Sequence, residues 1–213
     1  STILQWTVEL GSCAASDNVT ISNYSVSASA TDAQTCNSTI AALTGNNPAP
    51  GESGVWTSFT PGVTYDNASI YNTGAYNLVT GFNTFVWTLT NAYCSDDAVI
   101  QVEYIDPIAN AGSMQDLCEN YTFMAAQNPA PGNGTWEVIT GSGTFDNSAA
   151  FDAFVSNIGI GTNVYRWTVN DRGCIKTDDV TINNNQPFAS AGTDVTTCNT
   201  TANLNAIPAG AGE

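Results

Sequence analysis

The sequence predicts an all-β protein built from tandem repeats, and three observations support this prediction. A block that begins with a tryptophan occurs three times, at Trp6, Trp87 and Trp167, with spacings of 81 (87 − 6) and 80 (167 − 87) residues. Runs with the period-two alternation of β-strands fill the sequence between these blocks. Clusters of Asn, Pro and Gly separate the runs, as expected of turns. Several kinds of landmark that repeat together indicate an array of similar domains.

The repeated block has the same layout in each copy. WTVELGSC at 6–13 returns as WTLTNAYC at 87–94 and as WTVNDRGC at 167–174. The period divides the chain into the C-terminal part of a preceding repeat at 1–22, complete repeats at 23–103 and 104–184, and the N-terminal part of a following repeat at 185–213. We therefore expect this sequence to be a piece of a longer array.

Each complete repeat holds about seven short strand signals. In the first repeat they lie at 25–33, 39–43, 54–59, 63–66, 68–78, 83–90 and 98–103. The sixth has the clearest pattern, because Phe85, Trp87 and Leu89 alternate with valine and threonine. Seven short strands with a tryptophan on the third and another on the sixth are typical of an immunoglobulin-like β-sandwich. The predicted core tryptophans are Trp56, Trp87, Trp136 and Trp167.

The junctions between repeats are short. Residues 105–112 and 183–192 each contain one proline, Pro107 and Pro187, and neither is a Gly/Ser-rich tether. A connection of this composition is stiffer than a flexible Gly/Ser linker. We therefore expect immunoglobulin-like domains of about 80 residues stacked end to end.

Composition excludes several classes of function. The net charge is −16, and the basic residues are Arg166, Arg172 and Lys176 alone. Without a basic surface, binding to nucleic acid or to anionic membranes is disfavoured. No run approaches the ~18–20 apolar residues of a membrane span, so no direct membrane insertion is expected. The chain has no histidine and no phosphate-binding loop motif, so we expect neither an enzyme nor a bound organic cofactor.

The six cysteines lie at repeating positions. Without histidine or a CxxC pair, this pattern indicates disulfides in an oxidising compartment rather than a zinc site. Cys36 and Cys118 fall in the turn after the first predicted strand of a repeat. Cys94 and Cys174 fall in the turn after the sixth.

In a sandwich of this type these two turns lie at opposite ends, roughly 25 Å apart for strands of seven or eight residues. A disulfide requires Cα atoms within about 7 Å. The favoured pairing is therefore an inter-domain Cys36–Cys174 bond, with the other cysteines paired to repeats outside this sequence, namely Cys13, Cys94, Cys118 and Cys198. The alternatives are pairing within each repeat, as Cys36–Cys94 and Cys118–Cys174, and free thiols.

Acidic residues recur near the ends of the predicted domains. Six of them are candidate calcium ligands between domains: Asp96, Asp97, Asp106, Asp116, Asp178 and Asp179. Calcium binds six to eight oxygen atoms, which carboxylates and backbone carbonyls supply. The competing interpretation is that these aspartates accept backbone hydrogen bonds in turns. No loop has the spacing of an EF-hand, so calcium stays a secondary expectation.

The residues also resemble a known group of proteins. The matching segments are ANAG at 109–112 with Cys118, GTW at 134–136, and GTNVYRWTV at 161–169 followed by Cys174 and DDVTI at 178–182. They resemble the Ig/PKD-like tandem repeats of giant Bacteroidetes surface proteins, of which the gliding-motility adhesins exported by type IX secretion are an example. This resemblance implies an extracellular protein on the bacterial cell surface.

An array of this kind predicts a structural role. We expect a segment of a long surface fibre, stalk or adhesin that extends a binding region and bears mechanical load. Its expected partners are adjacent repeats of the same chain, surface polysaccharide and other surface proteins. The alternative is an array of carbohydrate- or protein-binding modules that use their loops. Residues 69–78 and 149–158 diverge between the two repeats, which favours the structural role.

Overall fold

The computed structural model describes residues 1–187, 189–198 and 200–207, and within these residues it has sixteen β-strands and no helix. Contacts divide the chain into two compact units, unit 1 at Ser1–Asp106 and unit 2 at Pro107–Glu213. Each unit contains one complete sandwich of two sheets.

The sandwich of unit 1 has seven strands. They are β3 (Ala33–Cys36), β4 (Ala41–Thr44), β5 (Ser53–Ser58), β6 (Thr64–Tyr65), β7 (Asn72–Tyr76), β8 (Gly81–Thr90) and β9 (Ser95–Ile105). One sheet has the order β3-β9-β8-β5 and the other has the order β4-β7-β6. Strand β3 runs parallel to β9, and the other pairs are antiparallel. In immunoglobulin notation these sheets are A′GFC and BED.

Unit 2 repeats this topology. Its strands are β10 (Gln115–Leu117), β11 (Thr122–Phe123), β12 (Asn133–Thr140), β13 (Thr144–Phe145), β14 (Phe154–Ser156), β15 (Gly161–Asp171) and β16 (Cys174–Asn184). The sheets have the orders β10-β16-β15-β12 and β11-β14-β13, again with one parallel pair, β10 with β16. The predicted fold class, all-β with tandem immunoglobulin-like domains, is confirmed.

The core of each sandwich is built around a pair of tryptophans from neighbouring strands. Trp56 and Trp87 have ring centroids 5.1 Å apart, and Trp136 and Trp167 have centroids 5.0 Å apart. All four are buried. The ring of Trp87 leaves no room for a side chain at Gly54, two residues before Trp56 on β5, and Trp167 does the same at Gly134 on β12.

The first strands lie outside the two sandwiches. Strands β1 (Thr2–Leu10) and β2 (Cys13–Ile21) form a two-stranded antiparallel hairpin in which every residue is exposed. Trp6 is 74% exposed there, although its counterpart Trp87 is fully buried. The same sequence pattern therefore forms the same hairpin with and without a covering sheet.

Two predicted strands differ from the structure. The first was expected at 25–33, but the strand of that region is β3, at Ala33–Cys36. Ala30 makes an isolated bridge to Gly45, and the chain then crosses to pair with β9 in the other sheet. The long signal at 68–78 forms only β7, at Asn72–Tyr76, because residues 67–70 make a turn closed by a hydrogen bond from the Ile70 amide to the Asn67 carbonyl.

The C-terminal residues repeat one contact of the sandwiches. The Ile207 amide donates to the Ser190 carbonyl at 2.9 Å, as the Gln127 amide does to Asn110 in unit 2. In unit 1 the corresponding bond joins Asn46 to Ser29. Of the predicted partial repeat at 185–213, residues 188, 199 and 208–213 lie outside the described residues.

Candidate functional site

Two turns in each sandwich carry the cysteines, and these turns lie at the two ends of strand G. The first is the turn between β8 and β9, at residues 91–94. The Asn91 amide donates to the Cys94 carbonyl, and the Asn91 side-chain oxygen accepts from the amides of Tyr93 and Cys94, each at 2.9 Å. In unit 2 the Asn170 side chain accepts from the Gly173 amide in the same way, directly before Cys174.

The second turn follows the short first strand. Cys36 is the last residue of β3, and its Cα lies opposite Ile105, the last residue of β9. The next residue, Asn37, adopts a positive φ of 53° and donates its amide to the Ile105 carbonyl at 2.9 Å. Asparagine tolerates this left-handed conformation better than most residues. In unit 2, Cys118 directly follows β10.

The two turns are therefore at opposite ends of strand G. Strand β9 has 11 residues, so its ends are about 33 Å apart at ~3.3 Å per residue. Cys94 precedes its first residue and Cys36 lies opposite its last. Because a disulfide requires Cα atoms within about 7 Å, Cys36 and Cys94 of one unit do not bond.

The oxidation states of the cysteines agree with this geometry. Cys36 and Cys174 are disulfide-bonded. The remaining cysteines, Cys13, Cys94, Cys118 and Cys198, are free and exposed. The expected presence of a disulfide is confirmed, and the within-repeat alternative, Cys36–Cys94 with Cys118–Cys174, is wrong because Cys94 and Cys118 are free.

The candidate calcium ligands make hydrogen bonds within the protein. Asp96 and Asp178, both in strand G but two residues apart in register, accept from the amides of Ala28 and Ala111, each at 2.8 Å. Each bond fastens the segment before the first strand to its own sandwich. Asp116 accepts from the Asn183 side chain at 2.9 Å.

Asp179 pairs with Arg166 on the neighbouring strand. The guanidinium donates to both carboxylate oxygens, at 2.7 and 2.9 Å. These bonds lower the pKa of Asp179 and raise that of Arg166. Asp97 and Asp106 complete the candidate set, and Asp97 is exposed. Within the described ranges, no three His, Cys, Asp or Glu side chains come together as metal ligands. Four of the six aspartates thus accept hydrogen bonds within the protein: Asp96 and Asp178 from backbone amides, Asp116 from Asn183, and Asp179 from Arg166.

Two buried asparagines are structural residues that the sequence argument missed. The Asn83 side chain is fully buried and donates to the carbonyls of Val79, Gly81 and Val102 at 2.8–3.3 Å. Asn163 makes the equivalent bonds to Gly159, Gly161 and Ile182 at 2.8–3.4 Å. The signal that would have found them is Gly-x-Asn, which occurs at 81–83 and 161–163, at the start of the sixth strand.

One surface hollow is a candidate ligand site for the alternative in which the domains are binding modules. It has a volume of about 390 Å³ and lies beside β4 and β7, with Asp66, Asn67 and Thr73 among its polar lining residues. Both Asp66 oxygens already accept hydrogen bonds, from the Tyr76 hydroxyl at 2.7 Å and from the Gly74 amide at 3.2 Å. The charged residue of this hollow is therefore already engaged by neighbouring groups of the protein.

No protein-family model matches the sequence, and no curated protein matches it. Among solved structures, the chain is similar to extracellular domains 3–5 of Drosophila OTK, with 13% identity, 86% of this chain and 71% of that chain covered, and a TM-score of 0.49.

Two further structures are similar at the same level. A titin I-band fragment, I67–I69, has 13% identity and a TM-score of 0.40, with 74% of this chain and 64% of that chain covered. Immunoglobulin domains 1–5 of Sidekick-1 have 12% identity and a TM-score of 0.41, with 75% and 38% covered. None of the described residues forms a helix long and apolar enough to span a membrane. By the strand order and pairing of its own two units, the chain is a tandem array of immunoglobulin-like β-sandwiches.

Proposed function

We propose that this chain is a structural segment of a long extracellular fibre, stalk or adhesin, which extends a binding region and bears mechanical load. Its role is non-catalytic. One sandwich core repeated at equivalent positions supports this proposal. The observation that carries it is the disulfide-bonded state of Cys36 and Cys174, one cysteine from each unit.

We infer that Cys36 and Cys174 are bonded to each other. The other four cysteines of the chain are free, so these two are the pair that remains. A disulfide between neighbouring repeats limits how far their junction opens under force. It also restricts the unfolded chain, and bonds that close long loops contribute typically about 2–4 kcal/mol.

The proposed repeat boundaries extend the array beyond the two sandwiches. Residues 1–22 correspond to strands F and G of a preceding repeat. Their exposed apolar residues Leu4, Trp6 and Val8 are counterparts of the fully buried Phe85, Trp87 and Leu89. Burying three such side chains contributes roughly 1.5–3 kcal/mol each. Strands A to E of another repeat would supply the covering sheet, and residues 185–213 would begin the following repeat.

The proposed location is the bacterial cell surface, after export by type IX secretion, and the proposed process is gliding motility. The support is the resemblance of the segments around Cys118, Trp136 and Trp167 to surface repeats. The disulfide-bonded state of Cys36 and Cys174 suits an extracellular, oxidising environment. Adjacent repeats are the first partners, with surface polysaccharide or other surface proteins contacted along the fibre.

A disulfide map tests the proposal directly. Cleavage before aspartate places each cysteine in a separate peptide: 1–16, 32–65, 66–95, 116–145, 171–177 and 194–213. Without reduction, we expect one cross-linked species, formed by 32–65 with 171–177. Alkylation beforehand should label the other four peptides.

Matched variants complete this experiment. Cys36→Ser and Cys174→Ser should each remove the cross-linked species, whereas Cys13→Ser should leave it unchanged. A cross-link between 32–65 and 66–95 would overturn the proposed pairing and would favour independent domains that act as separate binding modules.

A further inference from the structure

We propose that the disulfides of the array form a covalent ladder with two rails that carry force. This inference rests on the proposed function, and in particular on the Cys36–Cys174 bond. In such a ladder, strand G, the junction and the following first strand lie in the rails. Strands B to F of each sandwich connect one rail to the other.

The order of the cysteines along the chain gives the ladder its pattern. Cysteines of the F–G turn alternate with cysteines of the turn after the first strand: Cys13, Cys36, Cys94, Cys118, Cys174 and Cys198. The segments 13–36, 94–118 and 174–198 each contain strand G or its counterpart, a junction and the start of the next repeat. The segments between them contain strands B to F.

The proposed bond skips one of these short segments. From Cys36 the disulfide leads directly to Cys174, and the backbone then continues to Cys198. The segment 94–118 is bypassed. If Cys94 bonds to the preceding repeat and Cys118 to the following one, that segment belongs to a second, parallel path. Two paths therefore run along the array, each using alternate segments.

The free cysteines of this chain fit the pattern. The rule pairs the cysteine after the first strand of one repeat with the F–G cysteine of the next repeat. Within residues 1–213 both members of such a pair are present only for Cys36 and Cys174, and these are the two bonded cysteines. The rule places the partners of the four free cysteines in repeats outside this sequence, and each of the four is exposed.

The ladder has two mechanical consequences. Residues 37–173 lie outside the path of force through Cys36 and Cys174, so the tryptophan cores of both sandwiches do not have to resist that force. In addition, one backbone cut does not sever the array, because the second rail remains continuous. The device thus protects a long surface fibre against both unfolding and proteolysis.

Counting free thiols tests the ladder separately from the single disulfide. The chain as given has four free thiols. Extended by one complete repeat at each end, it gains four cysteines, and the ladder predicts that the number of thiols titrated under denaturing, non-reducing conditions stays at four. A count of eight (four plus four), with Cys36 still bonded to Cys174, would overturn the ladder and leave the single disulfide intact.

Pulling on single molecules tests the force path in the chain itself. At ~3.6 Å per residue, residues 37–173 hold about 490 Å of extended chain. Pulled by its termini, the unreduced protein should not release this length, and addition of dithiothreitol should allow its release. Cys36→Ser should release it without reductant, whereas Cys13→Ser should behave as the unmodified chain. Release of the full length by the unreduced, unmodified chain would overturn the proposal.

Discussion

The two sandwiches have the same tryptophan pair at their centre but exchange the tyrosine and phenylalanine beside it. In unit 1, Tyr65 packs edge-on against Phe85 with centroids 6.3 Å apart. In unit 2, Phe145 packs edge-on against Tyr165 at 5.7 Å. The edge-to-face arrangement is retained in both, which is a favoured geometry for aromatic pairs. The fold therefore requires the two rings, whereas either one can carry the hydroxyl group.

The outer face of the larger sheet differs more strongly between the units. On neighbouring strands, Val86 lies opposite Val99 in unit 1, and Arg166 lies opposite Asp179 at the equivalent place in unit 2. An apolar pair is thus replaced by an ion pair without a change of strand register. A surface that bound one shared ligand would keep its chemistry from repeat to repeat. The difference therefore favours a structural role for the array.

The largest effect should come from the shared core. Trp87→Ala and Trp167→Ala remove fully buried side chains and should each cost about 3–5 kcal/mol of unfolding free energy in their unit. Trp6→Ala is the matched control, because Trp6 is exposed, and it should have almost no effect. Urea denaturation followed by far-ultraviolet circular dichroism measures all three. An equal cost for Trp6→Ala would show that the hairpin is covered in solution.

A smaller effect is expected for the two buried asparagines. Asn83→Ala and Asn163→Ala leave buried carbonyls without their donor, which should cost about 1–3 kcal/mol in each unit. Because the bonding pattern is the same in both units, the two costs should be similar. Asn133→Ala changes an exposed strand residue and serves as the control. Costs that differ widely between the units would show that Asn83 and Asn163 do not contribute equally to the stability of their sandwiches.

The exchanged hydroxyl should have a smaller effect still. The Tyr165 hydroxyl donates to the Ser142 carbonyl at 2.7 Å, so Tyr165→Phe should cost about 1 kcal/mol at neutral pH. Burial raises the pKa of Tyr165 from 10.0 to about 12. The unfolded chain therefore loses this proton first, and stability falls as the pH rises from 10 to 12.

This pH dependence can be checked by thermal denaturation of the two proteins. The fall in stability between pH 10 and 12 should be smaller in Tyr165→Phe than in the unmodified chain. Tyr121→Phe, which changes an exposed ring, should keep the original profile. An unchanged profile in Tyr165→Phe would mean that the Tyr165 hydroxyl is solvated in the folded protein.

The smallest effect is expected on the outer face. Arg166→Gln removes an exposed ion pair, and such pairs contribute little to stability. Since Arg166 lowers the pKa of Asp179 in the folded state, its contribution is present above the ordinary pKa of about 3.9 and is lost as the pH falls through the lowered value. The melting temperature should shift less than in Tyr165→Phe, and the shift should shrink at about 1 M salt.

The reverse exchange tests the same two positions in unit 1. Val86→Arg with Val99→Asp places the ion pair of unit 2 on unit 1. Because Val86 is only 8% exposed there, we expect a moderate loss of stability in the sandwich of unit 1. A large loss of stability would show that the apolar pair on this face is required. That result would weaken the interpretation that the outer face is free to vary.

Local patterns in the sequence were sufficient for much of the fold. The repeat period, the number of strands, and the tryptophans on the third and sixth strands all follow from spacing and alternation. So does the hairpin of β1 and β2, which forms although its apolar face is exposed. These features depend on side-chain periodicity and turn residues, which act over a few positions of the chain.

Tertiary structure decided the features that depend on distant residues. The first strand lies later in the sequence than predicted because of its parallel pairing with β9. The chain makes only a single bridge, from Ala30 to Gly45, before β3 pairs with β9 in the other sheet. Two of the six candidate calcium ligands, Asp96 and Asp178, accept backbone amides 68 and 67 residues away along the chain. Asn83 and Asn163 are important because they are buried, and burial depends on both sheets. Residue spacing alone likewise left open which of the six cysteines are oxidised, and the structure has Cys36 and Cys174 in the disulfide-bonded state.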